Sequence, residues 1–474
     1  MQSPDFPKAD RWRTPQQLGL ALALTLAGCV PSRSSVFGPV DREIERRLGI
    51  EARWENIDDR VPGAITELMA KPLDRDAVIR IALATNRRLQ AEYDRLGIAA
   101  SEIASATVLA PLRVDLEYKL ARGDSASETE VDVIQDVLDL VQIPQRRGIA
   151  RADLDAARAR AVAATVDLVA RVEVAYIDVV AAQQELELRQ TAFDATAASA
   201  EIAERMHAAG NLPDLGLARE RDQREQARLD LARAQVELEV RRESLNQVLG
   251  LTGEQTKWTV NARLPEVPAA APALDTLEHD AVAASLDIAA VRAEADAARG
   301  RVGLARFRSV IPELGVGISA DRKDGEWDFG PAVAIGLPLF NQGQGPRARA
   351  NAELRRAQNE AIATAVELRA TARSTRQRVL GAYYEARHLM TVVLPNRQTV
   401  LTETLKQYNA MNASTFELLV ARRDLVDAGR QYIDAQRRFW RTAAEARALA
   451  RGAMPRIGMD SDRTESSSTT SKEH

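Results

Sequence analysis

The sequence contains one arrangement of segments twice, about 200 residues apart. Matching landmarks recur in the same order at offsets of 200 to 207 residues: Asn86 with Asp287, Pro111 with Pro312, Ala152-Asp153-Leu154 with Ala352-Glu353-Leu354, Tyr176 with Tyr383, and Leu217 with Leu419. Five landmarks in the same order are hard to produce by chance. The pattern therefore predicts a duplicated fold, and any architecture proposed for the chain has to accommodate two similar halves.

Each copy is predicted to be a helix, two strands, a long helix, a turn and a returning helix. We place the first copy at residues 74–257, with strands at about 113–121 and 130–143, although the alternation of the second strand is broken near Ile134 and Asp139. A proline-rich linker follows at 258–276. The second copy takes residues 277–454, with strands at about 313–321 and 326–340, and the polar tail 455–474 is expected to be disordered.

The long helices constrain the fold further. Residues from roughly 149 to 207 contain neither proline nor glycine, and a helix of about sixty residues is ~90 Å long. The two shorter helices of a copy, placed end to end, would match that length. A compact soluble domain does not need such a helix, whereas a tube, a stalk or a periplasmic bridge does.

The last predicted strand, WDFGPAVAIGLPLF (327–340), has two unlike faces. Bulky apolar residues alternate with small or polar ones, which include Gly330, Ala332, Ala334 and Gly336. Such a strand suits lipid on one side and a water-filled lumen on the other. A strand of a soluble sandwich alternates as well, so this pattern alone does not decide between the two.

Four strands in one chain are too few for a closed membrane barrel, which has at least eight. Open strand edges in hydrocarbon would leave backbone groups without hydrogen bonds. If these strands lie in a membrane, the chain must therefore oligomerise, and counting alone allows two to four copies.

The N-terminal residues indicate export. Lys8, Arg11 and Arg13 precede an apolar run that ends in Leu26-Ala27-Gly28-Cys29, the chain's single cysteine. The run is too short for a membrane span, which needs ~20 residues, but it fits a signal peptide at 1–28. The ending is similar to a bacterial lipobox, which predicts an acylated arm at 29–73 attached through Cys29. Val30 weakly favours sorting to the outer membrane, and an ordinary signal peptide is the alternative.

Composition excludes several classes of protein. The net charge is −4 and no basic cluster is interleaved with aromatic residues, so no nucleic-acid partner is expected. The four histidines are scattered, and one cysteine allows neither an internal disulfide nor a thiolate cluster. With no nucleophile elbow, phosphate loop or pocket-like carboxylate pair, we predict no enzyme activity, no metal site, and no cofactor apart from the covalent lipid on Cys29.

Together, the lipobox, the duplicated layout, the strand ending GLPLF before NQGQG, and the segment YNAMNASTFELLVARRDL resemble the TolC-type outer-membrane efflux channels over about residues 74–451. The resemblance implies a mainly α fold with a small β part: a homotrimer whose twelve-stranded β-barrel in outer-membrane lipid continues into an α-helical periplasmic barrel. It implies a passive exit duct with a periplasmic adaptor and an inner-membrane pump as partners. PLFNQGQG is similar to the heavy-metal branch, which favours metal cations as the exported substrates, and drugs or other small molecules are the alternative.

The resemblance also assigns a role to the two helix-to-helix turns, 208–216 and 410–415, as the periplasmic tip that closes the tube and meets the adaptor. Gly210 and Asp214 lie in the first turn. Near the second, Tyr408 is the expected aromatic, Met411 takes the place of a glycine, and Glu417 matches an acid. Glu417 from each protomer would ring the aperture. The alternative is a first-turn acid stabilised by the helix N-terminus, and ordinary turn chemistry at Gly210 and Asp214.

A second hypothesis is a structural or adhesive surface lipoprotein whose long helices form a coiled-coil stalk. A stalk is expected to show uninterrupted heptads and no amphipathic strands. The strands between the helices, and the return of each copy on itself, favour the duct.

Overall fold

The computed structural model describes residues 32–50, 61–119, 128–323, 326–338 and 342–455. These residues divide into two compact units. The sheet unit contains residues 32–38, 95–157 and 291–359, and the helical unit contains the other described residues. The predicted signal peptide, Cys29, residues 339–341 and the tail from 456 onward lie outside the described residues.

Helices make up most of the described chain. The helices of the first half are α1 (Arg33–Leu48), α2 (Val61–Met69), α3 (Arg75–Thr85), α4 (Arg87–Thr107), α5 (Leu138–Ala208) and α6 (Asp214–Leu249). Those of the second half are α7 (Leu277–Ala284), α8 (Leu286–Val310), α9 (Gln344–His388), α10 (Leu394–Asn409) and α11 (Thr415–Ala450), with a π-turn at Leu389–Val393 between α9 and α10. Within the described ranges, no helix combines the length and the apolar character that a transmembrane helix requires.

The sheet unit is built on four antiparallel strands in the order β1-β2-β3-β4. They are β1 (Arg113–Lys119), β2 (Glu128–Asp136), β3 (Leu314–Lys323) and β4 (Glu326–Ile335). Each copy supplies one pair of strands, and β2 pairs with β3 to join them, with Val133 opposite Ile318. The prediction of two strands in each copy is therefore confirmed.

The predicted end of the second strand, at residue 143, is wrong. β2 ends at Asp136, whose Oδ1 accepts a hydrogen bond from the Leu138 N–H at 2.8 Å, and α5 begins at once. A side chain that caps the first N–H groups stabilises a helix start. The short apolar run LVQI suits a strand or a buried helix equally by composition, so α5 begins eleven residues earlier than predicted. β4 likewise ends at Ile335 rather than at 340.

The duplication is visible in the helical unit as repeated helix breaks. Asn86 separates α3 from α4, and its Oδ1 accepts the Leu89 N–H at 3.0 Å. Ser285 separates α7 from α8, and its hydroxyl accepts the Ile288 N–H at 3.1 Å. Each break therefore caps the helix that follows it.

A returning helix docks against each of these breaks through a glycine. α6 ends at Gly250 and α11 is followed by Gly452, and both glycines have positive φ, 74° and 92°. A Cβ on Gly250 would lie 3.0 Å from the Thr85 carbonyl oxygen, and one on Gly452 only 2.1 Å from that of Ala284. Glycine is thus required both by its backbone conformation and by the close approach.

The long helices are tied to the rest of the helical unit by equivalent tyrosines and by a buried carboxylate. The Tyr176 hydroxyl donates to the Leu73 carbonyl at 3.2 Å, and the Tyr383 hydroxyl donates to the Ala269 carbonyl at 2.9 Å. Glu173 of α5, with 2% of its side chain exposed, is paired with Arg75 and, at 2.8 Å, with Arg447. A buried charge of this kind is tolerated because two guanidinium groups compensate it.

Candidate functional site: the sheet faces and the hairpin tips

The register of the sheet places one apolar face across all four strands. Its members are paired directly opposite one another or follow at every second residue: Val114, Leu116 and Tyr118; Val131 and Val133; Val316, Ile318 and Ala320; Phe329, Pro331, Val333 and Ile335. Most of them are exposed, Phe329 to 74%. A continuous exposed apolar face of this kind marks a lipid or protein contact surface.

The residues predicted to line a lumen lie on the opposite face. Gly330, Ala332 and Ala334 are partly covered, alternate with exposed apolar neighbours, and face Ser319, Gly317 and Gly315 of β3. Gly336 follows the end of β4 and donates its N–H to the Glu313 carbonyl at 3.0 Å. A Cβ on Gly317 would lie only 2.0 Å from the Val133 carbonyl oxygen, so only glycine fits at this position of the face. The assignment of these residues to a lumen stays a prediction.

The same polar face carries a row of four carboxylates that crosses the whole sheet. Glu117 lies opposite Glu130, Glu130 opposite Asp321, and Asp321 opposite Asp328. We call these four residues the acidic row. Like charges placed directly opposite one another destabilise a sheet. The stability of the sheet therefore does not explain why these four carboxylates are present.

Lysines lie beside one end of the acidic row. The Lys119 ammonium lies 3.7 Å from Glu117 and 3.8 Å from Glu130, and the Lys323 ammonium lies 2.8 Å from Glu128, which is outside the row. Among the residues that the structure describes, no group of three or more histidine, cysteine or carboxylate side chains is arranged to hold a metal ion. The acidic row places negative charge on all four strands of the polar face.

In the helical unit, the two hairpin tips are closed by the same backbone motif. After α5, Gly210 donates its N–H to the His207 carbonyl at 2.8 Å and Asn211 donates to Met206 at 2.9 Å. After α10, Met411 donates to Tyr408 at 3.0 Å and Asn412 to Gln407 at 2.8 Å. This pair of bonds is a Schellman motif, which ends a helix with one residue in the left-handed conformation.

Met411 occupies the glycine position of that motif, which Gly210 occupies in the first tip. Its φ is +62°, and within the described part of the chain it is the one residue other than glycine with a positive φ. The left-handed conformation costs about 1–2 kcal/mol for a residue with a Cβ. Its side chain is 94% exposed and gains no burial in return. Burial within the chain therefore does not offset the cost of this conformation.

In the first tip, a histidine contacts both the turn and the start of the next helix. The His207 Nδ1 lies 2.8 Å from the Leu212 carbonyl oxygen, and its Nε2 lies 3.4 Å from Asp214 at the start of α6. Asp214 is almost fully exposed.

The two hairpins also meet, because the Arg219 guanidinium of α6 lies 5.6 Å from the ring of Phe416 on α11. Sequence analysis missed this cation–π contact, since nothing local to either residue signals it.

Glu417 forms a capping box with Ser414 at the start of α11. The Ser414 hydroxyl accepts the Glu417 N–H at 3.3 Å, and the Glu417 carboxylate accepts the Ser414 N–H at 2.7 Å and its hydroxyl at 2.9 Å. These bonds, the backbone one first, hold the pKa of the Glu417 carboxyl below its ordinary value. The box is therefore complete above the ordinary pKa and is lost as the pH falls through the lowered pKa.

This geometry predicts different outcomes for two substitutions of Glu417. Glu417→Gln removes the charge but keeps an acceptor for the Ser414 N–H, since glutamine also completes a capping box. Glu417→Ala removes both. We expect amide exchange at residues 414–418, measured by mass spectrometry near pH 7, to be severalfold faster in the alanine variant and nearly unchanged in the glutamine variant. Equal acceleration in both variants would show that the charge, rather than the cap, orders the tip.

Comparison with known proteins identifies the fold of the chain. No protein-family model matches the chain. The chain is similar to the outer membrane protein VceC of Vibrio cholerae, with a TM-score of 0.67 and 17% identity over 80% of this chain and 96% of that one. It is also similar to CusC, described as undergoing transmembrane channel formation, with a TM-score of 0.60 and 20% identity over 80% of this chain and 90% of that one. The chain therefore has the TolC-type outer-membrane channel fold.

The chain is also similar in sequence to a curated protein. The chain is 28% identical over 375 residues to the cobalt-zinc-cadmium resistance protein CzcC of Cupriavidus metallidurans, which covers 77% of this chain and 86% of that protein. The chain is thus similar to CzcC in sequence and to outer-membrane channels in fold, and the resemblance predicted from its sequence is confirmed. VceC is an outer membrane protein, CusC forms a transmembrane channel and CzcC is a resistance protein, in agreement with the prediction of a duct rather than an enzyme.

Proposed function

We propose that the chain is the outer-membrane exit duct of a tripartite efflux system. The observation that carries the proposal is the two-faced sheet, which has an exposed apolar face and a thin polar face rich in carboxylates. A wall of this kind separates lipid from a water-filled lumen. The duct is passive, so the transport energy comes from an inner-membrane pump.

A single chain does not close such a wall. β1 and β4 are each paired on one side only within the described sheet, and an open edge is not tolerated in hydrocarbon. Three copies would supply twelve strands, the number that the TolC-type resemblance implies. Cross-linking of the membrane-embedded protein tests this assembly. A ladder that ends at the trimer is expected, and a protein that remains monomeric would contradict it.

Metal cations are the substrates that we favour. CzcC is named for resistance to cobalt, zinc and cadmium, and the acidic row places negative charge on the proposed lumen face of this chain. Rings of carboxylates concentrate cations and repel anions in a narrow aqueous path without binding them tightly.

Neutralising the acidic row should therefore reduce cation selectivity. In the variant E117Q/E130Q/D321N/D328N, we expect the ratio of cation to anion permeability to fall toward about 1, because the fixed negative potential is removed. The reversal potential in a potassium chloride gradient across a planar bilayer measures this ratio. Lys323→Gln is the control. It removes a positive charge from the same face and should therefore raise the ratio of cation to anion permeability. An unchanged reversal potential in the quadruple variant would contradict the proposed lumen.

The hairpin tips are the proposed contact with a periplasmic adaptor, and the Glu417 charge is proposed to line the aperture there. Leu215, Met411 and Phe416 are all exposed at these tips, where they supply apolar contact area in reach of a partner. Because Glu417→Gln keeps the cap, its conductance isolates the effect of the charge. A conductance equal to wild type would remove Glu417 from the aperture and leave it a role as a helix cap.

We further propose that Cys29 carries a covalent lipid that anchors the mature chain to the outer membrane. The support is the Leu-Ala-Gly-Cys sequence at the chain's single cysteine. Metabolic labelling with palmitate should mark wild type and not Cys29→Ala. Equal labelling of the two would refute the anchor without affecting the proposed duct.

A further inference from the structure

Four exposed arginines lie where the helices of the second copy meet the sheet. Arg306 and Arg308 are in the last turns of α8, just before β3, and Arg347 and Arg349 are in the first turns of α9, after β4. All of them belong to the sheet unit. The two helix ends touch, since a Cβ on Gly343 would lie 2.8 Å from the Ser309 Cβ. Arg306 precedes Ser309 by three residues and Arg347 follows Gly343 by four, so each of these two arginines lies about one helical turn from the contact.

Two of these arginines are engaged and two are not. The Arg308 guanidinium donates to Gln142 at 2.9 Å and lies 3.4 Å from Asp139, and Arg349 lies 2.8 Å from Glu353. Arg306 and Arg347 form no ion pair with any residue in the described ranges. The N-terminal end of α9 adds partial positive charge at the same place. The junction thus carries a net positive charge that the described residues do not neutralise.

Exposed apolar side chains adjoin these two arginines. Val310 is 72% exposed and shares a helix face with Arg306, four residues earlier. Leu337 is 72% exposed and continues the alternation of the sheet's apolar face beyond Ile335. The Gly336 N–H donates to the Glu313 carbonyl at 3.0 Å, which places Leu337 beside the residues that follow α8. The positive charge therefore lies at the border of the apolar face.

We propose that this junction binds an anionic phospholipid, with the phosphate between Arg306 and Arg347 and the acyl chains against Val310 and Leu337. The proposal rests on the proposed outer-membrane duct, in which the apolar face meets lipid. Arg306 lies four residues, or ~6 Å, from the end of α8. That distance fits the headgroup region, about 5–7 Å deep on each side of the hydrocarbon. Continuity with the apolar face and complementary charge both favour a lipid over a free anion.

The experiment measures lipid preference around the full-length protein in vesicles. Spin-labelled phosphatidylglycerol and phosphatidylcholine are compared by electron paramagnetic resonance, which gives their relative association at the protein surface. Wild type is expected to prefer phosphatidylglycerol, and R306Q/R347Q to lose roughly fivefold of that preference per arginine. The matched control R228Q/R423Q removes two exposed arginines from the helical unit and should behave as wild type. High salt should weaken the wild-type preference.

Conductance recorded on the same preparations separates this inference from the proposed function. A conducting wild type without lipid preference, or R306Q/R347Q with the preference intact, would overturn the lipid site and leave the duct standing. A loss of trimer cross-linking in R306Q/R347Q, with lipid preference unchanged, would assign the junction to a contact between subunits and would also overturn the lipid site. Lipid preference in a protein that never conducts would contradict the duct.

Discussion

Ile318→Arg is expected to prevent insertion of the protein into the outer membrane. Ile318 lies near the centre of β3, is exposed on the apolar face, and is paired with Val133 and Pro331. An arginine on the lipid side of a barrel costs about 2–4 kcal/mol at the bilayer midplane. Three protomers would incur that cost together. The amount of folded oligomer in the outer-membrane fraction, relative to total protein, measures the effect.

Ser319→Arg is the matched control, because the adjacent residue of a strand points to the opposite face. Ser319 lies opposite Gly330 and Asp132, which leaves space on one side and a carboxylate on the other. This variant should insert as well as wild type and should shift conductance rather than abundance. Equal loss of both variants, or normal insertion of Ile318→Arg, would show that the apolar face does not meet lipid.

Gly452→Ala is expected to lower the free energy of unfolding of the helical unit by about 2–5 kcal/mol. The left-handed conformation at φ +92° costs an alanine about 1–2 kcal/mol. The new Cβ would also lie 2.1 Å from the Ala284 carbonyl oxygen, and overpacking of this kind typically adds about 1–3 kcal/mol. Guanidinium unfolding followed by helical circular dichroism measures the loss.

Gly253→Ala separates the two contributions in that experiment. Gly253 has φ +59°, but a Cβ there would meet nothing within 4 Å. Its cost should be limited to the backbone term of about 1–2 kcal/mol. If Gly452→Ala cost no more than Gly253→Ala, the docking of the α11 end against the break at Ser285 would not be the rigid contact described above.

Much of the fold could be predicted because its signals are local. The alternation of β4 and the turn glycine at Gly210 each depend on a few neighbouring residues. The place of Met411 followed from the TolC-type resemblance, and the structure gives it the left-handed conformation of a glycine. The roughly 200-residue repeat needed only a comparison of the chain with itself.

The features that were missed depend on contacts between distant residues. The acidic row exists only in the register of the sheet, since each strand alone shows ordinary alternating acids, and register is set by pairing. The end of β2 was misplaced because the Asp136 cap, rather than the apolar run after it, determines where α5 begins. The breaks at Asn86 and Ser285 depend on returning helices more than 160 residues away.

The central claim is that the chain forms a water-filled duct across the outer membrane. Single-channel recording of the purified full-length protein in a planar bilayer tests it most directly. We predict discrete, long-lived conductance steps with a preference for cations, which the neutralised acidic row diminishes. A folded, inserted protein that gives no conductance steps, even with a periplasmic adaptor present, would contradict the duct.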